Sequence, residues 1–351
     1  MAPVTRLLLA GALTAGLFGW SSTAPFVYED SHVGQGPLLW SIVPGRALTT
    51  WTLQQTPTPR TAHLANVGLH LANGLLLAKG LGLVAPPTVA VAAAVAFWIL
   101  PLNSEAVLYV TGRSDLLLTF GVLLALWAAL LEAGPWRWLI VALGVAVATW
   151  SKEVGIVAVP LVAWTLTIWR PTVIQRGAAW LWVVVGALVG QGWTHALTWI
   201  GQRPEMGGPM VVWPTFVAKQ LGLVWALLAQ NVTLTGFAID HDALALSDPW
   251  VLLSLLASLQ VVVVIGLTWK RAPVVAWGLG LAVIALLPRL VIGSNEFIAE
   301  RQMYLPDVGV VSVLAAIVGA AATSPAREFL AVLRRAIPRA HARSLSRSAQ
   351  T

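Results

Sequence analysis

Ten stretches of mostly apolar residues restrict this chain more than any other feature, since about 20 such residues in a helix span the hydrocarbon core of a bilayer. They fall at 4–24, 62–80, 85–101, 114–132, 136–151, 153–170, 177–199, 249–269, 272–290 and 304–323. The expected fold is therefore all-α, a polytopic integral membrane protein of about ten transmembrane helices. Composition leaves little room for anything else. With 58% hydrophobic and 10% charged residues, the 351-residue chain lacks the polar surface of a large aqueous domain. Nineteen tryptophans suit the membrane–water boundary. No cysteine is present, which excludes a disulfide framework, a cysteine–zinc site and a cysteine nucleophile but leaves sites built from His, Asp or Glu open.

Topology follows from where the charges lie, because short cytoplasmic loops collect Lys and Arg. A further stretch, 213–234, is interrupted by Lys219, Gln220, Gln230 and Asn231. If it lies on the outer surface as an interfacial helix and the N-terminus is inside, the inner side holds thirteen basic residues against two acids. The outer side then holds eight basic residues and twelve acids. If 213–234 crossed, Lys270, Arg271 and the arginines of the tail would lie outside, so the ten-span arrangement is expected. Both termini are then cytoplasmic, residues 1–323 form the membrane domain, and 324–351 is a basic, disordered tail. The first window has Arg6 ahead of an apolar run and so also resembles a secretory signal. Its length, and the membrane segments that follow at once, make an uncleaved anchor the expectation. The net charge of +7 thus reflects orientation, and no nucleic-acid partner is expected.

Twelve of the fourteen carboxylates gather on the outer side, at the heads of spans. In the outer loop 25–61, Glu29, Asp30 and His32 stand close together. Such a group can share a proton, hold a divalent cation or act as a general base, and a solvated acidic turn has the same spacing. Arg46, alone in an uncharged stretch of that loop, either reaches a lipid phosphate or snorkels. Further along, the loop 101–115 carries Asn103, Glu105, Arg113 and Asp115; the turn 150–153 presents Lys152 and Glu153; and Glu296, Glu300, Arg301, Tyr304 and Asp307 lie between the last two spans. Each mixed-sign cluster can be a local salt bridge holding helix ends, or part of an acidic cavity rimmed by arginines. The second span adds His63, Asn66, His70 and Asn73, which fall within one narrow arc of a helix. A polar stripe in lipid must face other helices or water, and interhelical hydrogen bonding is its expected use.

Five segments in order, FVYED, GRALTTWTL with HLANVGLHLANGLLL, LPLNSEAVLYVTGRSDLLL, SKEVGIVAVPLV and AERQMYLPDVG, resemble the membrane module of the tetratricopeptide-containing transmembrane O-mannosyltransferases and their bacterial relatives. These belong to the GT-C superfamily. The resemblance runs from about residue 20 to 315 and implies a GT-C-like membrane glycosyltransferase that moves a mannose-like hexose from a polyprenyl-phosphate carrier to a protein, glycan or lipid acceptor on the non-cytoplasmic face. The family's acidic landmark maps to Glu29 and Asp30, with either as the base. Matching also makes Arg301 the first candidate for the donor phosphate, followed by Arg113 and Lys152; Arg46, Glu153, Asp115 and His32 complete the expected substrate-binding set. A divalent cation, Mg or Mn, at Glu29 and Asp30 is compatible with the pair and not required.

The expected chemistry is direct displacement with inversion. A carboxylate takes the proton of the attacking hydroxyl, while arginine or a cation stabilises the departing lipid phosphate. Two departures bear on it. Relatives continue into a further span and tetratricopeptide repeats where this sequence has an Arg-rich tail, and QMYLP stands where they carry an extra aromatic residue. Acceptor presentation without repeats, or a shortened and inactive membrane scaffold, is the corresponding expectation. Asp240, His241 and Asp242 have metal-like composition but read as a polar loop. A lipid or small-molecule transporter or flippase is the rival class; it calls for ionisable residues near the midplane and two repeated halves, whereas the charge here sits at the outer boundary.

Overall fold

The structure is a computed structural model that describes residues 3–26, 46–132, 134–174, 177–190, 213–233, 235–236, 247–291 and 299–323. Its main helices are α1 (Pro3–Gly19), α2 (Ala47–Gln54), α3 (Pro59–Leu81), α4 (Pro87–Ile99), α5 (Ser104–Leu108), α6 (Arg113–Leu130), α7 (Pro135–Ser151), α8 (Ala158–Trp169), α9 (Gly177–Val189), α10 (Trp213–Thr233), α11 (Asp248–Thr268), α12 (Pro273–Val291) and α13 (Tyr304–Thr323). Among the described residues there is no strand. Proline opens several of these helices, where its missing N–H costs nothing. Thr58 adds a capping box at the head of α3, its hydroxyl accepting from the Thr61 N–H.

Four segments, Val110–Leu130, Asp248–Thr268, Pro273–Leu290 and Glu300–Ala322, are long and apolar enough to cross a membrane. A fifth candidate is α4 with Pro101–Leu108, bent by 55°. The bend has a local cause: Leu100, extended at φ −65° and ψ 120°, precedes Pro101, and the residue before a proline avoids the helical region. Shorter apolar helices run through Trp136–Ser151, Glu153–Trp169 and Trp180–Val189. These helices mark a membrane-embedded protein. Helix α3 has the length but is absent from the four, because its polar stripe dilutes its apolar character. On α11, by contrast, Leu252, Leu256, Leu259 and Leu267 are all more than half exposed, as lipid-facing side chains would be.

Small residues let the helices approach. A Cβ on Gly121 would lie 2.6 Å from the Gly144 carbonyl, and one on Gly144 would lie 2.6 Å from the Ala125 nitrogen, so α6 and α7 meet backbone to backbone at two small-xxx-small pairs. The indole of Trp98 occupies the space that a side chain at Gly74 would need, locking α4 to α3.

The bundle has two chemically different ends. Near the C-termini of α3, α6 and α8 lie Lys79, Arg137 and Arg170, and the α11–α12 turn adds Lys270 and Arg271. Arg137 and Arg170 donate to the Leu131 and Leu130 carbonyls, where cations complement a helix C-terminus. The opposite end holds Glu105, Arg113, Asp115, Lys152, Glu153 and Arg301, which make the long-range bonds described below, together with Arg289. Helix α10 contacts this second end. Trp250 donates to the Gly222 carbonyl at 2.9 Å, the Leu102 N–H donates to Asn231 Oδ1 at 3.1 Å, and Leu223, Val224 and Leu227 pack with Leu102, Leu286 and Met303.

Candidate functional site

The polar end is assembled from residues far apart in sequence. Helix α2 starts just after Arg46, whose Nε and Nη2 donate to the two carboxylate oxygens of Glu153 at 2.8 and 2.7 Å. This two-point pairing fits the planar fork of arginine to a planar carboxylate. The Thr49 hydroxyl adds a bond to the Ser151 carbonyl at 2.7 Å. Together they fasten the start of α2 onto the α7–α8 corner.

Arg113 is buried and its guanidinium is engaged on every side. It donates to Asn66 Oδ1, the Thr52 carbonyl, the Thr56 hydroxyl and the Ala62 carbonyl at 2.7–2.9 Å. Its bonds tie α2 to the heads of α3 and α6, so it works as a positioning residue for the end as a whole.

Next to it, Asp115 and Lys152 form a buried pair, with Nζ 2.6 and 2.7 Å from the two carboxylate oxygens. Lys152 sits in extended backbone between α7 and the 3-10 turn Glu153–Val157, which aims its ammonium across to the first turn of α6. Burial pulls this ammonium down to about 8; Asp115 works in the opposite direction, and the charge of Arg289 adds to the lowering. Asp115, Lys152, Arg289 and Gln302 line one small cleft, with about 20 Å³ of enclosed space, whose other walls are apolar residues of α6, the 3-10 turn Glu153–Val157, α12 and α13. Two cations and a carboxylate thus share one partly enclosed space.

Arg301 lies on the 3-10 turn Glu300–Met303. Its Nη1 donates to Glu105 Oε1 at 2.6 Å, its backbone N–H donates to Glu105 Oε2 at 2.7 Å, and its guanidinium stands 5.5 Å from the centre of the Tyr109 ring. One quarter of the side chain remains exposed, enough for a ligand to approach.

Beneath these pairs the stripe of α3 is buried, and Asn66, His70 and Asn73 of its four residues are hydrogen-bonded. Asn66 donates towards the carbonyls of Val107, Tyr109 and Val110, and Asn73 donates to the Leu116 carbonyl and to the Tyr304 hydroxyl. His70 Nε2 lies 3.1 Å from the Trp98 carbonyl, which can only accept, so that nitrogen carries the proton. Nδ1 then accepts from the Tyr304 hydroxyl at 2.7 Å. Interhelical bonding is the use the stripe was expected to have. Asp307, one turn beyond Tyr304, is also buried, and its carboxylate oxygens find no hydrogen-bond donor among the described residues.

Of the residues singled out in the sequence, Arg46, Arg113, Asp115, Lys152, Glu153 and Arg301 come together at this end. Glu29, Asp30 and His32 lie outside the described residues, as do Asp240, His241, Asp242, Glu296 and the tail 324–351. Of the loop's flanks, Phe26 packs against Leu53, Ala62 and Val110, and Arg46 is held by Glu153. The ion pairs are not local: each joins one sequence cluster to another. Sequence reading missed Arg289 and Gln302. Arg289 had a signal, being a lone cation after Pro288 in an otherwise apolar helix, where an ionisable residue marks function by default. Among the described residues no group of three His, Asp or Glu side chains could hold a metal ion. Comparison with protein-family models, with curated proteins and with solved structures gives no match in any of the three.

Proposed function

We propose that this protein is a GT-C-like membrane glycosyltransferase that transfers a hexose from a polyprenyl-phosphate carrier to a hydroxyl acceptor at the end of the bundle where α2 and α10 lie. The observation that carries the reading is the cleft in which Lys152 and Arg289 converge beside Asp115. Its cations suit the phosphate that departs with the lipid, and Arg301 lies at the same end with part of its guanidinium exposed. In this reading the base comes from Glu29 or Asp30, which lie outside the described residues; the described flanks of that segment, Phe26 and Arg46, are both anchored at this end. A ten-span topology with this end outside accords with the basic belt at the other end. Helix α10 supports it too, for Lys219 lies 3.9 Å from Asp248 at the head of α11 while Asn231 bonds to Leu102, and a crossing helix would reach opposite ends.

The test is transfer itself. Membranes containing the protein move a radiolabelled hexose from a polyprenyl-phosphate donor, and Glu29→Gln with Asp30→Asn abolishes it; transfer at the parental rate would overturn the assignment of the pair. The neutralised pairs Arg46–Glu153 and Glu105–Arg301 favour a second reading, a scaffold whose charges only clamp helices. Under it no donor is consumed and Arg289→Gln leaves donor binding unchanged.

A further inference from the structure

At the basic end of the bundle, about 16 Å along α6 from Asp115, a second cleft runs between α3, α6, α8 and α12. It is a shallow, open groove with an enclosed space of only about 10 Å³, and it is walled by apolar side chains, among them Leu77, Leu123 and Leu126, with Trp127, Trp169 and Trp277 around them. Leu77, Leu123 and Leu126 are buried, whereas Trp127 and Trp169 are half-buried, so the cleft has a floor and a rim.

Three polar features surround this apolar space. The Lys79 ammonium stands 6.0 Å from the centre of the Trp127 ring and is exposed. Arg170 spends one Nη on the carbonyl of Leu130, a residue of the cleft wall, at 3.1 Å. Neither cation pairs with a carboxylate among the described residues, and the only described acid at this end is the exposed Glu132. The third feature is Trp169, whose indole N–H is shielded from solvent and has no acceptor among the described residues. A buried donor without a partner is costly, and in an apolar wall the cost is removed by an acceptor that arrives with a ligand.

We propose that this cleft is a binding site for one anionic glycerophospholipid. A hydrocarbon chain lies along the open mouth of the groove against Trp127 and Trp169, an ester or phosphate oxygen accepts from the Trp169 N–H, and Lys79 with Arg170 neutralises the headgroup. Charge complementarity selects the occupant: a zwitterionic headgroup brings its own cation into a region that already holds two, while an anionic one brings none. The site stands apart from the cleft of Asp115 and does not depend on the transferase reading.

Native mass spectrometry of the intact protein, released from detergent with phosphatidylglycerol or phosphatidylcholine of equal chain length, tests this. Phosphatidylglycerol is retained as a single adduct about tenfold more strongly, the preference expected of two cations near an anionic headgroup. The double variant Lys79→Gln/Arg170→Gln abolishes the preference, and Trp169→Phe, which keeps the ring and removes the donor, weakens retention of phosphatidylglycerol. Glycerol phosphate, with the headgroup but no chain, does not bind. Equal retention of the two lipids, an unchanged preference in the double variant, or binding of glycerol phosphate as strong as that of the lipid each overturns the proposal. Thermal unfolding of both variants, read without added lipid, stays within a few degrees of the parent; a larger loss would assign these side chains to the fold instead.

Discussion

Glu105 receives both the backbone N–H and the guanidinium of Arg301, at 2.7 and 2.6 Å, across 196 residues of sequence. One carboxylate therefore caps the turn that starts α13 and sets the arginine of that turn in place. Replacing it with glutamine keeps an acceptor of similar shape and removes the charge. Glu105→Gln is expected to lower stability by about 1.5–3 kcal/mol, the range for hydrogen bonds to charged groups. Thermal unfolding in detergent measures it, and Glu105→Ala should cost more, since it leaves the N–H bare as well.

Arg289 is the residue on which the proposed donor site depends most directly. If it meets the lipid phosphate, Arg289→Gln raises the KM for the polyprenyl-phosphate donor by about tenfold or more, equivalent to one charge-assisted bond, with a smaller change in the KM for the acceptor. Arg289→Lys recovers part of the loss because charge returns without the planar fork. An unchanged donor KM in Arg289→Gln would remove this residue from the site.

These two residues mark how far sequence alone reaches. Hydrophobic length gives the helices: each of the ten windows contains a described helix and the interrupted stretch at 213–234 forms α10, while four of the described segments are long and apolar enough to cross a membrane by themselves. The stripe of α3 is legible because its spacing puts it on one face and the cost of polar groups in lipid turns that face towards other helices or water. Partner choice is not legible. Glu105 could pair with Arg113 eight residues away, but the fold spends Arg113 on Asn66 and three neighbours and brings Arg301 from the far end of the chain. Such choices are made by helix packing, which no local pattern encodes. Arg289 went unread because one cation at the edge of an apolar window weighs little in a count of spans.

Lys152 gives the site a pH dependence with opposite signs for activity and stability. Its ammonium is lowered by burial to about 8 from an ordinary 10.5. Between those values the unfolded chain binds the proton and the folded chain does not, so this group makes the fold more stable as pH rises through the window. Transfer runs the other way, falling as pH rises through about 8 because the cleft loses a cation. A pH series of initial rates and melting temperatures on the same preparation checks both. Rates that stay flat from pH 7 to 9.5 would show that the ammonium has no part in turnover.

Tyr304 ties α13 to α3 through one oxygen, donating to His70 Nδ1 and accepting from Asn73 at 3.2 Å, and its ring stands edge-on to Phe97 of α4. Tyr304→Phe keeps that ring contact and strips the shared oxygen, leaving a buried imidazole nitrogen and an amide N–H each short of one partner. The expected loss is about 1–3 kcal/mol per unsatisfied group. Thermal unfolding should show it, and the double variant Tyr304→Phe/Asn73→Leu should cost less than the two single changes added together, since the second change removes a donor that the first has already stranded.

The contact between Gly121 and Gly144 allows the sharpest test of the packing, because it involves backbone that cannot move aside. A Cβ on Gly121 would stand 2.5 Å from the Ala148 nitrogen, closer than real contacts permit. Gly121→Val or Gly144→Val must therefore push α6 and α7 apart, and the displacement reaches the polar end, where α6 carries Asp115 and α7 leads into Lys152. Either variant is expected to lose several kcal/mol of stability, at or beyond the upper end of the about 1–3 kcal/mol typical of overpacking, and to reduce the yield of folded protein in membranes. Gly134→Val serves as the control, since nothing lies within 4 Å of a Cβ built there and its backbone is extended. Melting temperature and monodispersity in detergent separate the two cases: if Gly144→Val melts as the control does, α6 and α7 do not meet at these glycines.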